Sequence, residues 1–507
     1  MKLRPGTSLL TLIFGVLLLG GITGPASAST PVPRVDGNVI REATTGKEFI
    51  PHGVNWPSFE YACEQGWGHS NPGAGPATAE AMLEWNINTV RLPLNQDCWL
   101  GDDGLPASQP WILPRLTATG YRKAVESFVG DLTSAGIVTI LDLHWSAPPG
   151  FRADGLRPMP DSRSDDFWLS VAGRFRNNPG VIFDLFNEPH SRWDPDRQKA
   201  GGAGTGDWDF RLTWNIWLNG GGAATNHADT DYPFTNPGYR TTGMAELLRT
   251  VRLAGATQPV ILSGLDYAND LSRWLEFAPG DDQLIAGFHN YPGQRCNSET
   301  CWNREIAELA AEVPVITAEV GQNDCRFDHV ARYVDWADDF HIGYLAWAWW
   351  DLDLPGAAPS CTNFALIDDL DGTPTGQYGA AFRNHLISLP ETFPPVKTLP
   401  RRDPRLRIRS AWFRQRKLYS EIRLDPGAIR PVTVKVKLVA KIRNRKRRRT
   451  LSLKPRPVDG QIRLRRRIPG RWTPARLIVR YGGDAKLLPA RSNRLTKVVI
   501  ERRKSRN

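Results

Sequence analysis

From residue 29 to about 390, apolar runs of strand length alternate with stretches in which apolar residues recur at helical spacing. Eight runs qualify as strands: 49–55, 89–92, 138–144, 181–186, 260–263, 284–289, 315–319 and 344–349. Between the second and third, Tyr121, Val125, Phe128 and Leu132 share one helical face, as do Met244, Leu247, Leu248 and Val251 before the fifth. A helix between two strands carries the chain back, so the strands it joins run parallel. Eight such units predict an α/β fold, a (β/α)8 TIM barrel, whose reactive groups gather at the carboxyl ends of the strands.

Two segments break the rhythm. Residues 191–242 are rich in Gly, Asp and Asn and hold Trp193, Trp208, Trp214, Trp217, Tyr232 and Tyr239. So long a loop in a compact domain is usually functional or disordered, and its tryptophans argue against disorder. It is expected to overhang the catalytic face, with Trp208 and Trp214 against the substrate. The second break is a Pro-containing linker, 391–403, leading to residues 404–507. There Val434, Val436, Leu438, Ala440 and Ile442 alternate with lysines, Val439 excepted. That alternation predicts a smaller all-β sandwich, with the basic cluster 443–449 in a hairpin turn.

Charge separates the same two regions. Residues 401–507 hold 36 Lys and Arg against 6 Asp and Glu, while the residues before them hold 28 against 47. The net charge of +11 hides this contrast, which points to two domains with different jobs. At the start, Lys2 and Arg4 precede an apolar run, Leu9 to Ile22, and then Ala26-Ser27-Ala28. That is the pattern of a signal peptide over 1–28, so the catalytic domain is expected at 29–390 in a secreted chain. The run is short for a membrane span, and none is expected after cleavage. Export permits disulfides. Six cysteines leave fifteen connectivities open; the short intervals favour Cys63 with Cys98, Cys296 with Cys301 and Cys325 with Cys361.

Polar and aromatic groups recur at the ends of the expected strands: Arg91, His144, Asn187 with Glu188, His289 with Tyr291, Glu319, and Trp347 with Trp349. Taken singly, each has a plain reading. A lone Glu is more often a solvated surface charge, a lone His a structural one, and a tryptophan pair core packing. Their shared position at strand ends argues otherwise, because all would project into one mouth. Hydrolysis of a glycosidic bond needs one carboxylic acid to protonate the leaving oxygen and one carboxylate to attack or to activate water. Glu188 and Glu319 supply the pair. Arg91 and Tyr291 are placed to hold Glu319 ionised, and Asn187 to grip a sugar hydroxyl. Trp347 and Trp349, two apart on a strand, are expected to face one side and offer flat apolar surface to a sugar.

Asn187-Glu188-Pro189, after the strand Ile182-Phe183-Asp184-Leu185-Phe186, resembles the acid/base motif of the cellulase family, glycoside hydrolase family 5. Thr317-Ala318-Glu319-Val320-Gly321 is similar to that family's nucleophile strand. Arg91 in Val90-Arg91-Leu92-Pro93, His144 in Leu143-His144-Trp145, the triplet His289-Asn290-Tyr291 and a tryptophan in Trp347-Ala348-Trp349 match its other active-site positions in order. The resemblance covers about residues 35–390. It implies a retaining endo-β-glycanase acting on β-1,4-glucan, with Glu188 as acid/base, Glu319 as nucleophile and the remaining residues binding substrate. Alternatives are a β-mannanase, a mixed-linkage glucanase, or a non-catalytic carbohydrate-binding or adhesion protein. No metal or organic cofactor is implied, and a monomer is expected. The run 479–484, followed by Leu488-Pro489-Ala490, resembles the closing strands of bacterial immunoglobulin-like repeats. Its charge suggests contact with anionic cell-wall polymer; nucleic acid is not expected as a partner of an exported protein.

Overall fold

A computed structural model describes residues 30–101, 116–194, 207–224, 238–351 and 360–397, and beyond residue 404 the backbone of a set of strands. The expected signal peptide falls outside the described residues. Eight parallel strands close into a barrel in chain order. They are β1 (His52–Asn55), β2 (Thr89–Asn95), β3 (Val138–Trp145), β4 (Val181–Asp184), β5 (Val260–Ser263), β6 (Leu284–Asn290), β7 (Val315–Val320) and β8 (Gly343–Ala346). Buried on both faces, such strands read as continuous apolar runs, which is why the sequence exposes them. The helix Ala118–Ser134 packs Tyr121, Val125, Phe128 and Leu132 inward. It starts where the Thr117 hydroxyl accepts the Gly120 amide at 3.0 Å, satisfying one of the donors that a helix start leaves open. The helix Met244–Leu253 likewise buries Met244, Leu247, Leu248 and Val251.

The barrel interior is layered. At the amino end Val138, Ile140, Ile182, Ile261, Ile285, Ile316 and Leu345 form one apolar cluster, closed from below by Val35 and Ile40. Those two face each other across the hairpin of Pro33–Asp36 and Val39–Glu42. Above this layer the period of two along β3 and β4 brings Asp142 over Ile140 and Asp184 over Ile182. On β7 strict alternation from Ile316 would turn Glu319 outward. The register against β6 slips by one at Ala318, so that Thr317 pairs with Phe288 but Glu319 with His289. A bulge of this kind re-aims the side chain that follows it, and Glu319 ends 4 % exposed in the mouth.

The insert after β4 departs from expectation. Its described parts include a short strand pair, Arg192–Asp194 with Asp207–Phe210, and a helix, Trp214–Asn219. Trp214 is buried against Trp217 and Phe277, with ring centroids 5.2 and 6.0 Å away. Trp217 Nε1 donates to the Ser263 carbonyl at 2.8 Å. Trp214 therefore anchors the insert to the barrel's outer packing and does not face substrate; a cluster of tryptophans marks a small core as readily as a cleft. The Trp208 side chain lies outside the described residues. All three expected disulfides are formed.

Beyond residue 404 the described strands pair into one four-stranded and one five-stranded sheet. Most of the basic cluster lies in a strand, Arg445–Leu453, antiparallel to Val434–Ile442. The expected turn over 443–449 is therefore not borne out for 445–449, and residues 443 and 444 lie outside the described residues.

Candidate active site

Arg91 organises the mouth. It is fully buried on β2, and its guanidinium reaches five acceptors at once. Nε donates to Asp184 at 3.0 Å; Nη1 donates to Asn55 Oδ1 at 3.0 Å and to Glu319 Oε1 at 2.8 Å; Nη2 donates to Asn187 Oδ1 at 2.9 Å and meets Asp142 at 3.0 Å. Burial alone would weaken the charge on Arg91, but Asp142, Asp184 and Glu319 more than reverse this, so it stays cationic. Burial pushes the Asp142 carboxyl up to about 7 against the pull of Arg91, and raises Asp184 well above the usual carboxylate range.

Glu319 is held from two sides. Arg91 grips Oε1, and the Tyr291 hydroxyl donates to Oε2 at 2.7 Å. Burial and the carboxylates of Glu319 and Glu188 raise the Tyr291 phenol, which remains a proton donor. Opposite, Glu188 Oε1 lies 2.9 Å from His289 Nδ1, a hydrogen bond whose proton can sit on either partner. The same His289 nitrogen is 3.5 Å from Glu319 Oε2. Facing atoms of Glu188, His289 and Glu319 all fall within 4.8 Å of one another. His289 and His144 are both shifted down by burial, with Arg91 adding to the effect, His144 to about 3. Both rings are neutral at ordinary pH. His144 hydrogen-bonds Asp142 through Nδ1 at 2.7 Å, and its Nε2 lies 3.4 Å from the Asn187 amide.

The two tryptophans after β8 part company. Trp347 lines the cleft and stacks at 13° against His144, centroids 5.5 Å apart. Trp349 is 1 % exposed and packs edge-on against Trp85 at 4.8 Å. The expectation that both face one side is corrected: β8 ends at Ala346, and two-residue alternation holds only inside extended strand. Trp349 has no surface left for a ligand. Trp350 takes a place in the cleft wall instead, its Nε1 donating to the Asn363 carbonyl at 3.1 Å.

The mouth opens into a cleft of about 600 Å³, within the size range of ligand sites. It gathers His144, Asn187, Glu188, Tyr291, Glu319 and Trp347, all expected from the sequence. Arg91 and His289 lie just beneath. It also includes Glu60, Tyr61, Tyr267 and Trp350, which the sequence reading missed. Tyr267 belongs to a run of three left-handed residues, Asp266 to Ala268. It stacks flat on His190 at 4.3 Å, and its amide donates to the Pro189 carbonyl at 3.2 Å.

The chain is similar in sequence to known proteins. An endoglucanase of Paenibacillus polymyxa is 26% identical over 212 residues, 40% of this chain and 50% of that protein. An endoglucanase of Halalkalibacter akibai is 29% identical over 121 residues, 24% of this chain and 12% of that protein. The chain thus spans half the length of the first curated relative and less of the second. Among solved structures, a beta-glucanase from Saccharophagus degradans in complex with cellotetraose superimposes with a TM-score of 0.47 at 19% identity, covering 72% of this chain and 98% of that one. Residues 43–353 match the family described as Cellulase (glycosyl hydrolase family 5). The span holds both facing glutamates and the arginine that grips Glu319, and the chain belongs to that family.

Proposed function

We propose that the chain is a secreted, retaining endo-β-glycanase that hydrolyses β-1,4-glucan, with Glu188 as acid/base and Glu319 as nucleophile. The observation that carries the reading is the pairing of Glu319, clamped by Arg91 and Tyr291, with a Glu188 carboxyl oxygen no more than 4.8 Å away. Retaining enzymes keep their carboxyl groups about 5 to 5.5 Å apart, whereas inverting ones need roughly 6.5 to 9.5 Å to fit a water. Glu319 attacks the anomeric carbon while Glu188 gives its proton to the leaving oxygen. The Arg91 and Tyr291 donors aim both Glu319 oxygens, which fixes the line of attack. Glu188 then takes a proton from the water that breaks the glycosyl-enzyme bond. Trp347 offers the sugar a flat apolar face, and the neutral His144 and Asn187 offer hydrogen bonds to its hydroxyls. The name endoglucanase, borne by the two curated relatives described above, supports glucan over mannan.

The basic residues 401–507 fit an electrostatic tether to anionic wall polymer. Deleting them should leave activity on soluble substrate intact and abolish retention on walls. High salt should do the same, because exposed charges are screened over about 8 Å at physiological ionic strength.

The test of the catalytic reading is a glycan panel with three proteins. The wild type should cut cellulosic substrates. Glu319→Ala should be inactive on all of them. Glu188→Ala should still release an activated aryl leaving group and regain speed with azide, giving a β-glycosyl azide. Equal loss in both variants without azide rescue would count against these roles.

A further inference from the structure

Glu60 has no part in the chemistry above. It sits on the loop that follows β1 and lines the cleft beside Tyr61, His144 and Trp347, although only 3 % of it is exposed. The loop is rigidly held. The Ser58 amide donates to Glu60 Oε2 at 2.7 Å, and Asn95 Nδ2 donates to the Glu60 carbonyl at 2.7 Å. Three residues on, Cys63 is bonded to Cys98. A carboxyl so deeply placed normally has a cationic partner, because a lone buried charge is costly. Among the described residues no basic side chain pairs with Glu60. The charged groups bearing on it are Asp142 of β3 and Glu319 of β7, both acidic, and the phenols of Tyr61 and Tyr121 are in turn influenced by it. Burial, with a smaller push from those two acids, raises its carboxyl to about 8 against the pull of the Glu60 and Ser58 amides. Near neutral pH it therefore carries its proton and offers one donor and one acceptor.

We propose that Glu60 is a specificity-determining contact of this cleft, donating a hydrogen bond to an oxygen of the neutral β-glucan sugar held on the Trp347 and His144 side. The inference rests on the hydrolase reading above. Its rival is a purely structural Glu60 that serves only to accept the Ser58 amide and its own. The two differ in what glutamine can replace. A Gln side chain keeps one acceptor for Ser58 and one donor for the sugar, but it cannot ionise. When wild-type Glu60 loses its proton, the donor vanishes and a third carboxylate is set beside Glu319.

The experiment is steady-state kinetics on cellotetraose at pH 6 and pH 9 for wild type, Glu60→Gln and Glu60→Leu, with thermal melts of each. At pH 6 Glu60→Gln should stay within about twofold of wild type, while Glu60→Leu should raise KM about five- to tenfold with kcat little changed, the size of one lost hydrogen bond. In kcat/KM, which reports ionisations of the free enzyme, the wild type should show an alkaline loss near pH 8 that Glu60→Gln lacks. An unchanged KM in Glu60→Leu, an identical alkaline limb in wild type and Glu60→Gln, or a Leu variant that loses kcat together with melting temperature would each overturn the inference. An active wild type with an indifferent Glu60 refutes this inference alone. A wild type inert on every β-glucan removes the functional reading, and the inference with it.

Discussion

Near the amino end of the barrel, Ile140, Ile182, Ile261 and Ile316 fill the interior with hydrocarbon; a few residues further along three of the same strands, Asp142, Asp184 and Glu319 fill it with carboxyl groups around a guanidinium. The lower layer is stabilised by area removed from water, and each side chain there contributes nearly on its own. The upper layer is stable only as a set. Three carboxyl groups share one guanidinium, and taking out the cation leaves acids buried without a partner, at a cost of several kcal/mol. Separating the two layers along the strand axis lets a rigid apolar plug carry a polar site that would not hold together alone.

The comparison breaks most visibly at Arg91. Arg91→Met should cost about 3 to 5 kcal/mol of stability by leaving its buried partners uncompensated, and should slow hydrolysis by about 10²- to 10³-fold by losing a preorganised donor on Glu319. Denaturant melts and initial rates read both; activity close to wild type would dismiss Arg91 as the organiser. One layer down, Ile261→Ala should cost about 3 kcal/mol through the cavity it leaves. Its folded fraction should turn over at the wild-type rate, and a large fall in kcat would mean that the layers are not separable.

The tryptophans repeat the contrast within one short segment. Trp349→Ala should lower stability by about 3 to 5 kcal/mol with little change in KM, as for other large core truncations. Trp347→Ala should leave the melting temperature nearly unchanged and lower kcat/KM on cello-oligosaccharides by about tenfold, the scale of a lost aromatic contact. Exchanged outcomes would reverse the assignment of platform and core.

What the sequence made legible followed the same division. The eight apolar runs and the polar groups that end them were visible because parallel strands change from hydrocarbon to chemistry at their carboxyl ends. Arg91, His144, Asn187, Glu188, Tyr291 and Glu319 all came from that signal. It was weak where a strand stops early: the end of β8 at Ala346 decides between Trp347 and Trp349, and no residue type marks it. Asp142 and Asp184 read in sequence as strand interior, because only the third dimension brings them to Arg91. Glu60 sits in a loop, where no period singles out one acid among its neighbours. Trp214 turns out to be buried, since composition cannot tell an aromatic cleft from an aromatic anchor.

Acid should also tell the layers apart. The folded chain keeps His144 neutral down to about pH 3, whereas an unfolded one takes up a proton from about 6.5 downward. As pH falls through that window the unfolded state binds more protons, so stability is lost on the acid side. Asp142 and Glu60, raised in the folded state, work in the opposite direction there, so the expectation is a difference between proteins. His144→Gln should lose less melting temperature than wild type between pH 6 and pH 4, while Ile261→Ala should keep the wild-type slope. Equal slopes in His144→Gln and wild type would show that the ring is not the acid-sensitive group.

The central claim is that Glu188 and Glu319 face each other closely enough for direct attack, and product stereochemistry tests it most directly. Proton NMR of a cello-oligosaccharide digest in its first minutes resolves the anomer released before mutarotation. The account predicts that the β anomer appears first, with the α anomer growing in later. First release of the α anomer would mean inversion and would contradict the nucleophilic role of Glu319.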